Sequence, residues 1–354
     1  MLGRLFLFLC VILGAVITST THHWFIAWMG LELNTLAFVP LIAMSKTPRA
    51  IEAAIKYFLI QTSASATMLY IVILNTLTYG QWNIPDLDSI IVIPIILALS
   101  AKLGVAPFHS WYADVLQGTS LFIGACLSTL QKIPPIALMY QIACYVNYTE
   151  VTFTNKFFIP LTMITLGLLS MMVGGWGGIN QTEMRKILAY SSIAHMGWII
   201  IITKILPDLA FITFTIYAIM TLTIFMNMYL LNVYSIKQLS MTWHKSPALT
   251  SITMLSILSL AGMPPLTGFF PKLLIAMELA KISLFLVCIV FIITSLSLYF
   301  YLRMTYFMLM TVFPSPPWKK ELPYAALPFI LLTVVAIMIL PMTPFMIPSL
   351  PYIQ

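Results

Sequence analysis

The sequence predicts an all-α polytopic membrane protein of about eleven transmembrane helices: two inverted five-helix repeats, each with a discontinuous helix, plus one C-terminal helix. Three observations predict it. First, 61% of the 354 residues are hydrophobic and 8% are charged, whereas soluble domains carry roughly 25% charged residues, so the chain cannot clothe a water-facing surface. Second, the apolar runs approach the roughly 20 residues that cross a bilayer as a helix. Short loops separate them, which excludes the alternating ten-residue strands of a barrel. Third, two runs that prolines interrupt stand five spans apart.

The first span, Leu5–Ser19, has no small-residue cleavage site beside it and reads as a membrane helix, not a removed leader. The second, Trp24–Met44, holds Glu32, the one acid placed firmly inside a span, and Ala50–Leu77 is the third. The fourth, Ile91–Val115, places Lys102 deep within it and then meets Pro107. Proline lacks an N–H and its ring clashes with the carbonyl four residues back, here that of Leu103. In hydrocarbon such a break survives only where it faces protein or a wet cavity, and His109 follows directly. The fifth span, Leu121–Val146, carries Lys132 just before Pro134 and Pro135.

Phe157–Trp176, Glu183–Lys204 and Leu209–Val233 follow as spans six to eight. The ninth, Pro247–Leu279, repeats the motif of the fourth: Pro264 and Pro265 free the carbonyls of Leu260 and Ala261, and Lys272 stands close behind. Ile282–Phe313 is the tenth span and Tyr324–Met346 the eleventh. The two breaks thus occupy equivalent places in residues 1–150 and 151–313, with 314–354 as a flank. The offset of five helices from one break to the other is odd and so inverts the second set, and corresponding interrupted helices point to a transport site.

The positive-inside rule tests this count. Alternating sides from the N-terminus puts ten basic residues on one side: Arg4, Lys46, Arg49, Lys56, Arg185, Lys186, Lys237, Lys245, Lys319 and Lys320. Only Lys156, Lys204 and Lys281 fall on the other, beside Asp86, Asp88, Glu150 and Asp208. The N-terminus is therefore expected on the cytoplasmic side, or in the matrix for a mitochondrial protein. Arg303 remains inside the tenth span, where a snorkelling, structural role suffices.

Lys102, Lys132 and Lys272 are different, because each adjoins a proline break. An ionisable group at the bilayer centre costs at least about 2.5–3.5 kcal/mol, so these groups should face the bundle interior and pair. Glu32 is the natural partner of Lys102. His109 and His195 supply further titratable stations, and the set reads as a hydrated file for protons. A structural counter-ion explains one such lysine more easily than three. His195 could equally be a packed histidine, whereas His22, His23 and His244 fall near span ends. The four cysteines, without CxxC-like spacing, read as small apolar residues, and no P-loop, dinucleotide fingerprint, metal cluster or haem-ligand pair appears.

Five runs carry a resemblance: Trp28-Met-Gly-Leu-Glu-Leu-Asn34, Lys102-Leu-Gly-Val-Ala-Pro-Phe-His109, Gln131-Lys-Ile-Pro-Pro135, Arg185-Lys-Ile-Leu-Ala-Tyr-Ser-Ser-Ile-Ala-His-Met-Gly197 and Gly262-Met-Pro-Pro-Leu-Thr-Gly-Phe-Phe-Pro-Lys272. In this order, over nearly the whole chain, they resemble the antiporter-like membrane subunits of respiratory complex I, the NADH–ubiquinone oxidoreductase. The resemblance implies two inverted repeats with broken helices, in a shortened form without the extra N-terminal helices of bacterial relatives. It implies a proton-translocating, non-redox subunit of that enzyme, with Glu32, Lys102, Lys132 and Lys272 carrying protons and His109 and His195 close to the polar axis. Some relatives have a glutamate where this chain has Lys272, which leaves the direction of transfer at that end open.

The resemblance further implies a mitochondrial inner-membrane location with the N-terminus in the matrix. No cofactor is expected on this chain, since NADH, FMN, iron–sulfur clusters and ubiquinone would be held elsewhere in the complex. The implied partners are other membrane-arm subunits, chain 4L and chain 4 among them, and phospholipids such as cardiolipin, but not nucleic acid. A stand-alone cation/proton antiporter of the same fold is the alternative. A carrier of an organic substrate fits less well, because the interior polar groups are mostly protonatable.

Overall fold

The computed structural model describes residues 2–84, 89–148 and 158–310. Among them the chain is helical, and eight helices are long and apolar enough to cross a membrane. The eleventh span, Tyr324–Met346, lies outside the described residues. So do Asp86, Asp88, Glu150, Lys156, Lys319 and Lys320, so that part of the expected charge asymmetry has no structural counterpart here.

Helices α1 (Leu2–Thr20), α2 (Trp24–Ala43) and α3 (Pro48–Tyr79) pack in sequence. Thr47 starts α3 by accepting a bond from the Ala50 N–H at 3.3 Å, with Pro48 next, where a missing N–H costs nothing. At 32 residues, α3 is about 48 Å long. That is longer than the roughly 30 Å hydrocarbon layer of a bilayer.

The fourth span is two helices, α4 (Ser89–Leu103) and α5 (Ser110–Gly118), separated by a loop through Pro107. Gly104 turns the chain with φ +71°, a left-handed conformation that needs glycine. The fifth span is also interrupted: α6 (Leu121–Thr129) gives way to one 3-10 turn, Leu130–Lys132, before α7 (Ile133–Tyr148). The sequence reading treated this span as continuous. Pro134 and Pro135 cannot bond the carbonyls four residues back, and the tighter turn compensates, with the Ile133 N–H donating to the Leu130 carbonyl.

Helices α8 (Ile159–Ile179), α9 (Met184–Ile205) and α10 (Pro207–Leu231) follow, and α9 is buried along most of its length. It packs on α8, α10 and α5, while α10 packs on α6 and α13, so these two helices join the early and late parts of the chain. Short α11 (Ile236–Ser240) and α12 (Thr242–Lys245) lead to the ninth span. That span divides into α13 (Pro247–Ala261) and α14 (Phe269–Ile282), and α15 (Leu284–Leu309) closes the described chain. Gly262, at φ +86°, ends α13 as Gly104 ends α4. The outward faces of α1, α3 and α15 remain apolar and exposed, as with Phe6, Leu59 and Ile292, which suits contact with lipid.

Candidate functional site

The polar groups that the sequence singles out lie mainly at the three helix interruptions. At the first, α4 stops with two of its last carbonyls held by neutral donors. Gln61 Nε2 of α3 donates to the Lys102 carbonyl at 3.1 Å. Trp111 Nε1 of α5 donates to that of Ala101 at 3.2 Å. The backbone is thereby satisfied without the lysine side chain. Lys102 is 3% exposed, and among the described residues its Nζ has no hydrogen-bond partner.

Glu32, on α2, is half-buried with an unpartnered Oε2. The sequence suggests that it pairs with Lys102. Among the described residues the two make no ion pair within 4.0 Å, and the Glu32 charge acts on Lys102 across a longer gap. The same charge reaches Tyr57, a fully buried residue beside Gln131. His109 lies apart from this interior: it immediately precedes α5 without a side-chain cap bond, and its ring Nδ1 stands 3.3 Å from the Pro107 carbonyl on the exposed side of the break.

Lys132 occupies the 3-10 turn and is 2% exposed. Its ammonium lies 4.6 Å from the centre of the Tyr112 ring and 5.4 Å from that of Tyr217, and donates a long bond of 3.5 Å to Tyr217 Oη. A cation over aromatic faces gains about 2 kcal/mol when desolvated, which offsets much of the cost of keeping the charge at this depth.

His195 is on α9. Its ring sits 5.4 Å from that of Tyr217, and Nε2 lies 3.3 Å from Tyr301 Oη. The charges of both Lys132 and Lys272 act on it. Ser192 of the same helix lies beside the Tyr112 and Tyr217 hydroxyls. Lys272 caps the second break directly: Nζ donates to the Ala261 carbonyl at 2.8 Å and to the Leu260 carbonyl at 3.4 Å. These are the two carbonyls that Pro264 and Pro265 release.

Two cavities adjoin Lys272. One of about 30 Å³ is lined by His195, Tyr217, Leu260 and Lys272. Another of about 470 Å³ is mostly apolar and bounded by Trp198, Phe269, Met277 and Phe291. Arg303, by contrast, is structural: it donates to the Ile179 carbonyl at the end of α8.

Sequence reasoning did not single out Gln61, Tyr57, Tyr112, Tyr217 or Tyr301. Tyrosine in a span reads by default as an interfacial anchor, and a lone glutamine gives no signal. The spacing of Gln61 five residues beyond Lys56 on α3 does not reveal that it reaches another helix's broken end. Among the described residues no group of three or more His, Cys, Asp or Glu side chains could hold a metal ion.

Residues 21–297 match the family model described as NADH:quinone oxidoreductase/Mrp antiporter, transmembrane, and the chain belongs to that family. Its relatives there include NADH-ubiquinone oxidoreductase chain 2 of Salmo salar. That protein is 44% identical over 339 residues, 94% of each chain. The fold matches a chain of respiratory complex I from Thermus thermophilus with a TM-score of 0.78 at 23% identity, covering 96% of this chain and 80% of that one. It also matches a chain of the Mrp complex from Dietzia sp., with a TM-score of 0.74 at 18% identity over 89% and 61% of the two chains.

Proposed function

We propose that this chain translocates protons as a non-redox subunit of a mitochondrial NADH:ubiquinone oxidoreductase. Protons move along Glu32, Lys102, Lys132, His195 and Lys272 in response to electron transfer in other subunits. The observation that carries the reading is the placement of three lysines at three helix interruptions, with His195 acted on by two of them. Buried amines are expensive in a bilayer, and an interior lined by tyrosine hydroxyls and carbonyls suits a charge that comes and goes. His109, on the outer side of the first break, serves as the contact between Lys102 and the aqueous edge.

On this reading residues 1–150 and 151–313 act as two inverted half-channels, with 314–354 as a flank. The N-terminus faces the matrix of the inner membrane. NADH, FMN, iron–sulfur clusters and ubiquinone are bound by partner subunits. Chain 4L, chain 4 and phospholipids, cardiolipin among them, are the neighbours.

The test is the intact complex carrying Lys102→Ala, purified and reconstituted in liposomes. The expected result is an assembled complex that oxidises NADH with little or no coupled acidification; full pumping removes Lys102 from the route. The fold-level likeness to the Mrp complex supports a second reading, stand-alone cation/proton exchange. Ion-driven proton flux by the purified chain alone in liposomes would favour it.

A further inference from the structure

An ammonium passes its proton only to a group with a free lone pair, and among the described residues the Lys132 ammonium donates to Tyr217 Oη, not to Lys272. A group that accepts on one side and donates on the other has to stand between them. Resting on the proton-carrying reading above, we propose that Tyr217 is that transfer group. Its hydroxyl takes a proton from the Lys132 ammonium while passing its own to a water in the 30 Å³ cavity, and that water gives one to the neutral Lys272 amine. One proton leaves Lys132, one arrives at Lys272, and Tyr217 and the water end as they began.

The geometry supports each step. Tyr217 Oη is the atom to which Lys132 Nζ donates, at 3.5 Å. The Tyr217 ring also adjoins both the lysine, 5.4 Å away, and the His195 ring, again 5.4 Å away. Tyr217 lines the cavity together with Lys272 and His195. A cavity of at least about 10–15 Å³ with two or more polar partners suffices for one water. The two N–H groups of the neutral Lys272 amine suffice for the Leu260 and Ala261 carbonyls, which leaves its lone pair to accept from that water.

Because Oη meets Lys132 while the ring meets His195, removing the oxygen alone separates the two contributions. Tyr217→Phe in the intact complex keeps the ring and its packing. The expected result is an assembled complex whose coupled turnover falls roughly tenfold or more, with a solvent deuterium isotope effect at least twice that of the unaltered complex. Wild-type pumping with an unchanged isotope effect, in a preparation where Lys132→Met abolishes pumping, overturns the role of Tyr217 and leaves the route standing. Normal pumping in both variants overturns the route and Tyr217 with it. A density map of the unaltered complex, fine enough to show waters, decides the matter if Tyr217→Phe does not assemble. A water within 3.5 Å of Tyr217 Oη and Lys272 Nζ supports the transfer, and an apolar or empty cavity there overturns it.

Discussion

Lys272 donates to the Ala261 carbonyl at 2.8 Å, whereas among the described residues Lys102 donates to no atom. Two lysines in corresponding broken helices are thus held in opposite ways: one closes the backbone with its own amine, the other leaves that work to Gln61 and Trp111.

Lys272→Met therefore removes two roles at once. Each buried carbonyl left without a donor costs about 1–3 kcal/mol, so the variant complex is expected to unfold at lower temperature as well as to lose pumping. Lys272→Arg separates the roles. The guanidinium still donates to Leu260 and Ala261 but stays charged, so thermal stability is expected near that of the unaltered complex while coupled pumping is lost. Calorimetry and acidification assays on the same preparations check both expectations.

At the first break the backbone function lies with Gln61. Gln61→Leu is expected to destabilise the end of α4 by about 1–3 kcal/mol. Amide hydrogen exchange across residues 100–106 should speed up, and the Lys102 side chain is untouched. Unchanged exchange there means that the Gln61 bond holds nothing.

Glu32→Gln keeps the shape of the side chain and removes the charge that acts on Lys102 and Tyr57. NADH-driven turnover is expected to fall strongly, by roughly 10-fold or more, in a complex that still assembles. Turnover equal to that of the unaltered complex reduces Glu32 to packing.

Gly262→Ala tests the approach of Lys272 to the end of α13. A Cβ at this position meets Lys272 Nζ at 2.9 Å and Cδ at 3.0 Å. The left-handed backbone at φ +86° adds about 1–2 kcal/mol of strain for a residue with a Cβ. Lower thermal stability together with weakened pumping is the expected outcome, whereas Lys281→Ala should leave stability within about 1 kcal/mol, because its pair with Glu278 is exposed on the lysine side.

Much of this architecture was legible because proline chemistry is local. Pro107 and the Pro264–Pro265 pair mark their breaks without any knowledge of tertiary structure, and Lys272 lies on the two carbonyls that the second pair releases. The break at Lys132 was less legible. Pro134 and Pro135 sit at the start of a helix, where proline is tolerated, and a single 3-10 turn leaves little trace in hydropathy. The Glu32–Lys102 relation was only half legible: composition says that a lone acid and a buried lysine should associate, but their separation depends on how α2, α3 and α4 pack. The tyrosines around Lys132 and His195 carry little periodic signal, since Tyr217 and Tyr301 stand on α10 and α15, which are apolar along nearly their whole length.

The unequal capping of the two breaks also separates chemistry from mechanics. Discharging Lys102 alters a local field and leaves the ends of α4 and α5 tethered as before. Discharging Lys272 slackens the latch between α13 and α14, since a neutral amine grips two carbonyls less firmly than an ammonium does. On the proton-carrying proposal, movement of the scaffold in step with proton occupancy therefore belongs to the later of the two breaks.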